Sequence, residues 1–129
     1  MRNWFAELVE RGGPQLLSIF QLALPLVAVC VFHAVRPRRW ALWAGAIGCA
    51  LVVLIGVTGY VQSSGRTDDA IARMREEHSA SEAELAEHRE RGYAEARLPL
   101  VYGGGLAAGC AIVLAIGEVR RRRRARSSA

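Results

Sequence analysis

Three histidines and three cysteines are the side chains of this sequence best suited to chemistry, and neither set has a catalytic spacing. His78 and His88 share a stretch crowded with carboxylates, which raises the question of a metal. Ten residues of helix turn through about 1,000 degrees, so these imidazoles would point about 80 degrees apart. Glu84 and His88 stand at i, i+4 on one helical face. Two such ligands hold a divalent ion weakly, and a solvated helix face is the plainer reading. His33 lies near the end of an apolar run, where an interfacial side chain is expected rather than a proton relay. Cys30, Cys49 and Cys110 fall within apolar runs and lack disulfide or zinc spacing, so they read as small buried packing residues. No P-loop, dinucleotide fingerprint, CxxC pair or nucleophile elbow occurs. The expectation is a protein that is not an enzyme, with no catalytic, cofactor-binding or metal-binding residues and no cofactor.

The elements that position these side chains are three apolar runs, residues 14–35, 40–61 and 98–119. Glu118 is the one charged residue inside any of them. A helix of 22 residues is about 33 Å long, enough for a hydrocarbon core of about 30 Å. Soluble helices rarely stay apolar all round for such a length. The mean hydropathy of +0.16 averages these runs with a highly charged middle. The fold class expected is all-α: an integral membrane protein with three transmembrane helices and a polar helical extracytoplasmic segment between spans two and three.

Residues 1–13 place Trp4, Phe5, Leu8 and Val9 on one helical face, as in a short interfacial helix lying on a bilayer. Gly12, Gly13 and Pro14 then break that helix and start the first span. The span is too long for a typical signal-peptide core, so its retention is expected. Pro25 inside it predicts a kink. Residues 36–39 (Arg, Pro, Arg, Arg) make a tight hairpin, and residues 14–61 form a transmembrane pair. Trp40 and Trp43 follow the hairpin as an aromatic belt would require.

Residues 62–97 are the sizeable polar segment. Ser63, Ser64 and Gly65 read as a linker, and Thr67 before Asp68 and Asp69 reads as a helix start. The spacings Asp69–Arg73, Arg73–Glu77 and Glu87–Arg91 are i, i+4 pairs. With Ile71, Met74 and Leu85 as its few larger apolar residues, the segment predicts a solvated helix or helical hairpin with no core of its own. Gly92 permits a bend before the third span, and residues 120–129 form an arginine-rich tail.

Charge sets the topology. The net charge of +5 divides unevenly, with six arginines against nine acids in 62–97 and six arginines in the tail. Arginine beside an apolar span is a topology signal before it is a nucleic-acid signal. Arg36, Arg38, Arg39 and the tail residues Arg120, Arg121, Arg122, Arg123 and Arg124 therefore anchor the cytoplasmic side. The N-terminus and residues 62–97 fall outside. All basic residues are arginine, with no lysine, which suits a GC-rich bacterial genome. The location expected is a bacterial inner (plasma) membrane, with lipids as partners and no nucleic acid. The arginine tail suits anionic lipid, at about 1 kcal/mol per residue near the surface.

Small residues four apart let helices approach closely. Span two has Gly45, Gly48 and Gly56, and span three has Gly104 beside the GxxxG pair Gly105 and Gly109. These six are the helix-packing candidates, for contact between spans two and three or for a homo-oligomer or another membrane subunit. An intramembrane acid would mark an ion path. Glu118, beside the arginines, does not serve as one.

The start of the chain, Glu10, Arg11, Gly12, Gly13 and Pro14 followed by an apolar span, resembles the N-terminus of MotA/TolQ/ExbB-type proton-channel subunits. Leu98, Pro99 and Leu100 with Gly103, Gly105 and Gly109 resemble the Pro- and Gly-rich helix of that family. The resemblance covers about a quarter of the chain. It implies an accessory of a membrane complex, with the ion-carrying acid supplied by a partner chain. Leu106 stands where the family tends to have a pore-lining Thr, the family's large cytoplasmic domain is missing, and span three runs in the opposite direction. No channel residue is therefore carried over. In size, topology and basic tail the chain also resembles three-span phage holins, which implies pore formation as the alternative function.

Overall fold

The computed structural model describes residues 3–129, folded as three α-helices: α1 (Trp4–Val35), α2 (Arg39–Glu76) and α3 (Glu82–Ser127). Met1 and Arg2, part of the expected interfacial helix, lie outside the described residues. All three helices are long and apolar enough to cross a membrane.

The break expected at residues 12–14 is present inside α1. Gly13 has φ 72 and ψ −175, a region open almost only to glycine. Residues 5 and 20 would be about 22 Å apart along a straight helix, yet the Phe5 and Phe20 rings are 5.2 Å apart. The first turns of α1 therefore fold back onto its long part. Phe20 in turn meets Tyr102 of α3 at 5.7 Å, so an aromatic chain ties this end together.

Two expected breaks are absent. Residues 63–65 are helical and α2 runs unbroken to Glu76. Thr67 is thus no helix start, and its hydroxyl donates back to the Ser63 carbonyl at 3.0 Å. Ser64 does the same to Val61 at 3.1 Å. Extending a formed helix fixes one residue per new hydrogen bond, whereas starting one is costly. The apolar run has already formed the nucleus, and one glycine among two serines does not stop it. Gly92 likewise lies within unbroken α3. Its lack of a side chain serves contact instead, since a Cβ there would come within 2.4 Å of Thr67 Cγ2.

Residues 62–97 are therefore the far half of a long α2–α3 hairpin. At 46 residues α3 is about 69 Å long, roughly twice a hydrocarbon core. The turn at its tip is defined by side chains. Ser81 and Glu84 form a capping box, with Ser81 Oγ accepting from the Glu84 N–H at 3.3 Å and Glu84 accepting from the Ser81 N–H at 3.1 Å. His78 takes a positive φ of 53. Ile71 and Leu85, each seven residues from His78, are both buried. Tyr93 donates to Asp68 Oδ1 at 2.6 Å across the hairpin. The hairpin thus buries two apolar side chains where no core was expected.

The three helices share one seam. On α3 the buried positions are Ala96, Pro99, Gly103, Ala107, Cys110, Leu114 and Gly117, spaced three and four apart as in left-handed helix packing. The facing residues on α2 are Ala41, Gly45, Val52, Gly56 and Gly59, and on α1 Leu16, Ile19, Leu26, Cys30 and His33. Gly56 and Gly59 make room for Pro99. A Cβ on Gly56 would lie 2.8 Å from the Pro99 carbonyl oxygen, and one on Gly59 would lie 3.1 Å from Pro99 Cβ.

Candidate functional site

The glycines of the third apolar run divide between two faces. Gly103 faces inward, where a Cβ would come within 2.9 Å of the Val52 carbonyl oxygen. Gly104, Gly105 and Gly109 face outward, and a Cβ on any of them would meet nothing within 4 Å. Three of the six packing candidates thus point their Cβ positions away from the other described residues. The other three do. Gly45 lies under Leu114, Gly48 under Leu26 and Gly56 against the α3 backbone. Gly103, noted in the glycine run but not among the six, joins the packing set, as do Gly59 and Gly117, which were not singled out. Gly117 is the closest of these, with a Cβ there 2.5 Å from His33 Cδ2.

Gly105 and Gly109 line a groove between α1 and α3. One cavity of about 330 Å³ is lined by Cys30, Val31, Gly105, Gly109, Cys110 and Val113, among others. A second, of about 290 Å³, is lined by Phe20, Val101, Tyr102, Gly105 and Leu106, among others. Gly105 and Leu106 line both, so the two lie side by side along α3. The walls are aliphatic and aromatic, and the glycines leave the α3 backbone bare along the floor. Such a surface suits a close-packing apolar helix and offers no polar grip for a soluble substrate.

Beside this groove the three cysteines meet, although they come from three helices. Cys30 and Cys110 are buried in one apolar cluster with Ile19, Leu26, Val52 and Leu114, and Cys49 packs against it. Cys49 Sγ also faces the Ala107 carbonyl oxygen at 3.8 Å. The packing role read from sequence fits all three free thiols, Cys30 and Cys110 buried and Cys49 half-buried. Their convergence was missed. A signal was present: Cys49 and Cys110 each lie ten residues from an arginine at a span end, Arg39 and Arg120, hence at similar depth. No chain-length comparison brings Cys30 into register without knowing how the Arg36–Arg38 turn is shaped.

At the arginine end α1, α2 and α3 come together. Arg120 Nη1 donates to the Ala34 carbonyl at 3.1 Å, which puts the tail beside the turn carrying Arg36, Arg38 and Arg39. Glu118 accepts from Arg121 Nε and Nη2 at 2.9 and 2.8 Å and from Arg122 Nε at 3.1 Å. This forked contact raises the Arg121 pKa above its ordinary value. His33 departs from expectation. Its side chain is fully buried in the bundle rather than reaching outward, because the side-chain-free Gly117 gives its ring a place against α3. Its Nδ1 donates to the Arg38 carbonyl at 3.0 Å, and its Nε2 is buried with no hydrogen-bond partner among the described residues.

No family model matches the chain, and no curated protein or solved structure is significantly similar to it. The site therefore stands on its own geometry. Among the described residues no three histidine, cysteine or carboxylate groups are arranged to hold a metal ion. In the outer hairpin, the Tyr93 hydroxyl is pushed above the usual phenol range by its hydrogen bond to Asp68, because loss of the proton would set two negative oxygens against each other.

Proposed function

We propose that this chain is a small three-span membrane subunit whose α1–α3 groove receives a transmembrane helix, from a second copy or from another membrane protein. The observation that carries the reading is that a Cβ on Gly104, Gly105 or Gly109 would meet open space, and that Gly105 and Gly109 line an apolar groove. In lipid, burial of apolar area does not drive helices together. Close van der Waals contact does, and bare glycine backbone allows the closest approach. The reading needs no catalysis and no cofactor.

The arginine end lies on the cytoplasmic side of a bacterial inner membrane in this reading. Two groups of arginine at one end of the bundle support it, since basic residues close to spans are retained inside. The N-terminus and the α2–α3 hairpin then project outward. The hairpin is a second contact surface, rich in charge and stiffened by its capped tip. A partner carrying an intramembrane acid would make the chain an accessory of the MotA/TolQ/ExbB kind. Pore formation would require several copies, because the interior of a single chain is filled by Leu16, Ile19 and Val52.

The test is assembly. Gly105→Leu with Gly109→Leu is expected to leave helix content unchanged while shifting the protein to a smaller species in mild detergent. Unchanged mobility overturns the reading. Dye measurement of membrane potential during induction separates the alternative, since abrupt depolarisation by the intact chain marks a pore.

A further inference from the structure

A cavity of about 550 Å³ lies where the first turns of α1 meet α3, lined by Arg11, Arg91, Ala94, Glu95 and Leu98. The four α3 residues are spaced three and four apart, so they form one face of that helix. Two guanidinium groups, one carboxylate and one apolar side chain thus border a single space. Their charges are not spent on one another. Arg91 Nη2 donates to Glu87 at 3.3 Å, which leaves most of the five guanidinium N–H donors open. The side chains of Arg11 and Glu95 make no hydrogen bond or ion pair among the described residues. Glu95 is half-buried, and a carboxylate drawn partly out of water is stabilised by a cation beside it.

Depth narrows the choice of ligand. Glu95 stands three residues before Leu98, where the third apolar run begins, or about 4.5 Å along the helix. The headgroup layer on each side of a hydrocarbon core is about 5–7 Å thick. In the membrane placement proposed above, on which this inference rests, the cavity lies in the outer headgroup layer.

We infer that the cavity binds the headgroup of phosphatidylethanolamine, with Arg11 and Arg91 on the phosphate and Glu95 on the primary ammonium. Guanidinium donates forked, charge-assisted bonds to phosphate oxygens, and a primary ammonium has three N–H donors to give a carboxylate. The quaternary ammonium of phosphatidylcholine has none, and phosphatidylglycerol offers Glu95 no charge. Leu98 starts the path of the acyl chains, which continues on the same α3 face past Val101 and Tyr102 at the outer end of the groove.

The experiment uses the full chain, purified in mild detergent, with phosphatidylethanolamine and phosphatidylcholine of identical acyl chains added in equal amounts. Native mass spectrometry reads the lipid retained, and circular dichroism confirms that each variant keeps its helix content. The chain is expected to retain phosphatidylethanolamine over phosphatidylcholine by about tenfold, the factor expected for a charge-assisted hydrogen bond. Glu95→Gln should erase that preference, while Arg11→Gln and Arg91→Gln should each lower retention of both lipids. Equal retention of the two lipids by the unmodified chain overturns the inference. So does an undiminished preference in Glu95→Gln, and so does displacement of the bound lipid by millimolar inorganic phosphate, which marks a site for free anions. Failure of the chain to float with liposomes overturns the membrane reading instead, and titration with water-soluble glycerophosphoethanolamine then tests the three charged side chains by themselves.

Discussion

Gly103 and Gly104 are neighbours in the chain and opposites in the fold. Around Gly103, α3 lies so close to α2 that a single added carbon would press on the Val52 carbonyl. Around Gly104, and one and five residues further on at Gly105 and Gly109, an added carbon meets nothing. One helix thus carries two glycine faces, the first used to build the bundle and the second left bare. The difference shows that small residues in a span do not all serve one purpose. Those with backbone of the same chain pressed against them are structural, and those without are available to a partner.

The comparison breaks most sharply at the inner face. Gly103→Leu or Gly56→Leu must push α2 and α3 apart, because the atoms in the way are backbone rather than flexible side chain. A loss of about 3 kcal/mol or more is expected, read as collapse of the folded state in denaturant titration followed by circular dichroism. A smaller cost is expected at the α1 bend. Gly13→Ala forces a side chain into a conformation that costs about 1–3 kcal/mol, and the Phe5–Phe20–Tyr102 contact should loosen, seen as faster amide exchange in residues 4–12. At the outer face, Gly105→Leu should change stability by no more than about 0.5 kcal/mol while abolishing assembly. If it unfolds the protein as Gly103→Leu does, the distinction between the two faces is lost.

The smallest effect lies in the outer hairpin. Tyr93 has a raised pKa in the folded chain, so its contribution is complete below the ordinary phenol value of about 10. It is lost as pH rises through the folded value. Phenolate absorbance of Tyr93 should therefore appear at higher pH in the native protein than in Asp68→Asn. Coincident titrations would remove the clasp between the two helices. Tyr93→Phe should speed exchange at the hairpin tip without changing the three-helix packing below it.

Much was determined by the amino-acid sequence alone. Length and unbroken apolarity define three helices able to cross a membrane, and the Gly12, Gly13 and Pro14 run marks the break in α1. The positions of arginine label one end of the bundle. What escaped sequence reading was orientation about each helix axis. A span that is apolar all round has no polar side to mark its exterior, so the spacing of Gly103, Gly104, Gly105 and Gly109 cannot say which one faces α2. The same holds for the thiols, whose meeting depends on the rotation of three helices at once. Ser63 to Gly65 and Gly92 misled for a related reason: local propensity favours a break there, but helix growth from the adjoining runs and contact across the hairpin outweigh it. Tertiary structure alone decided these points, because each depends on which surfaces come into contact rather than on what any one segment prefers.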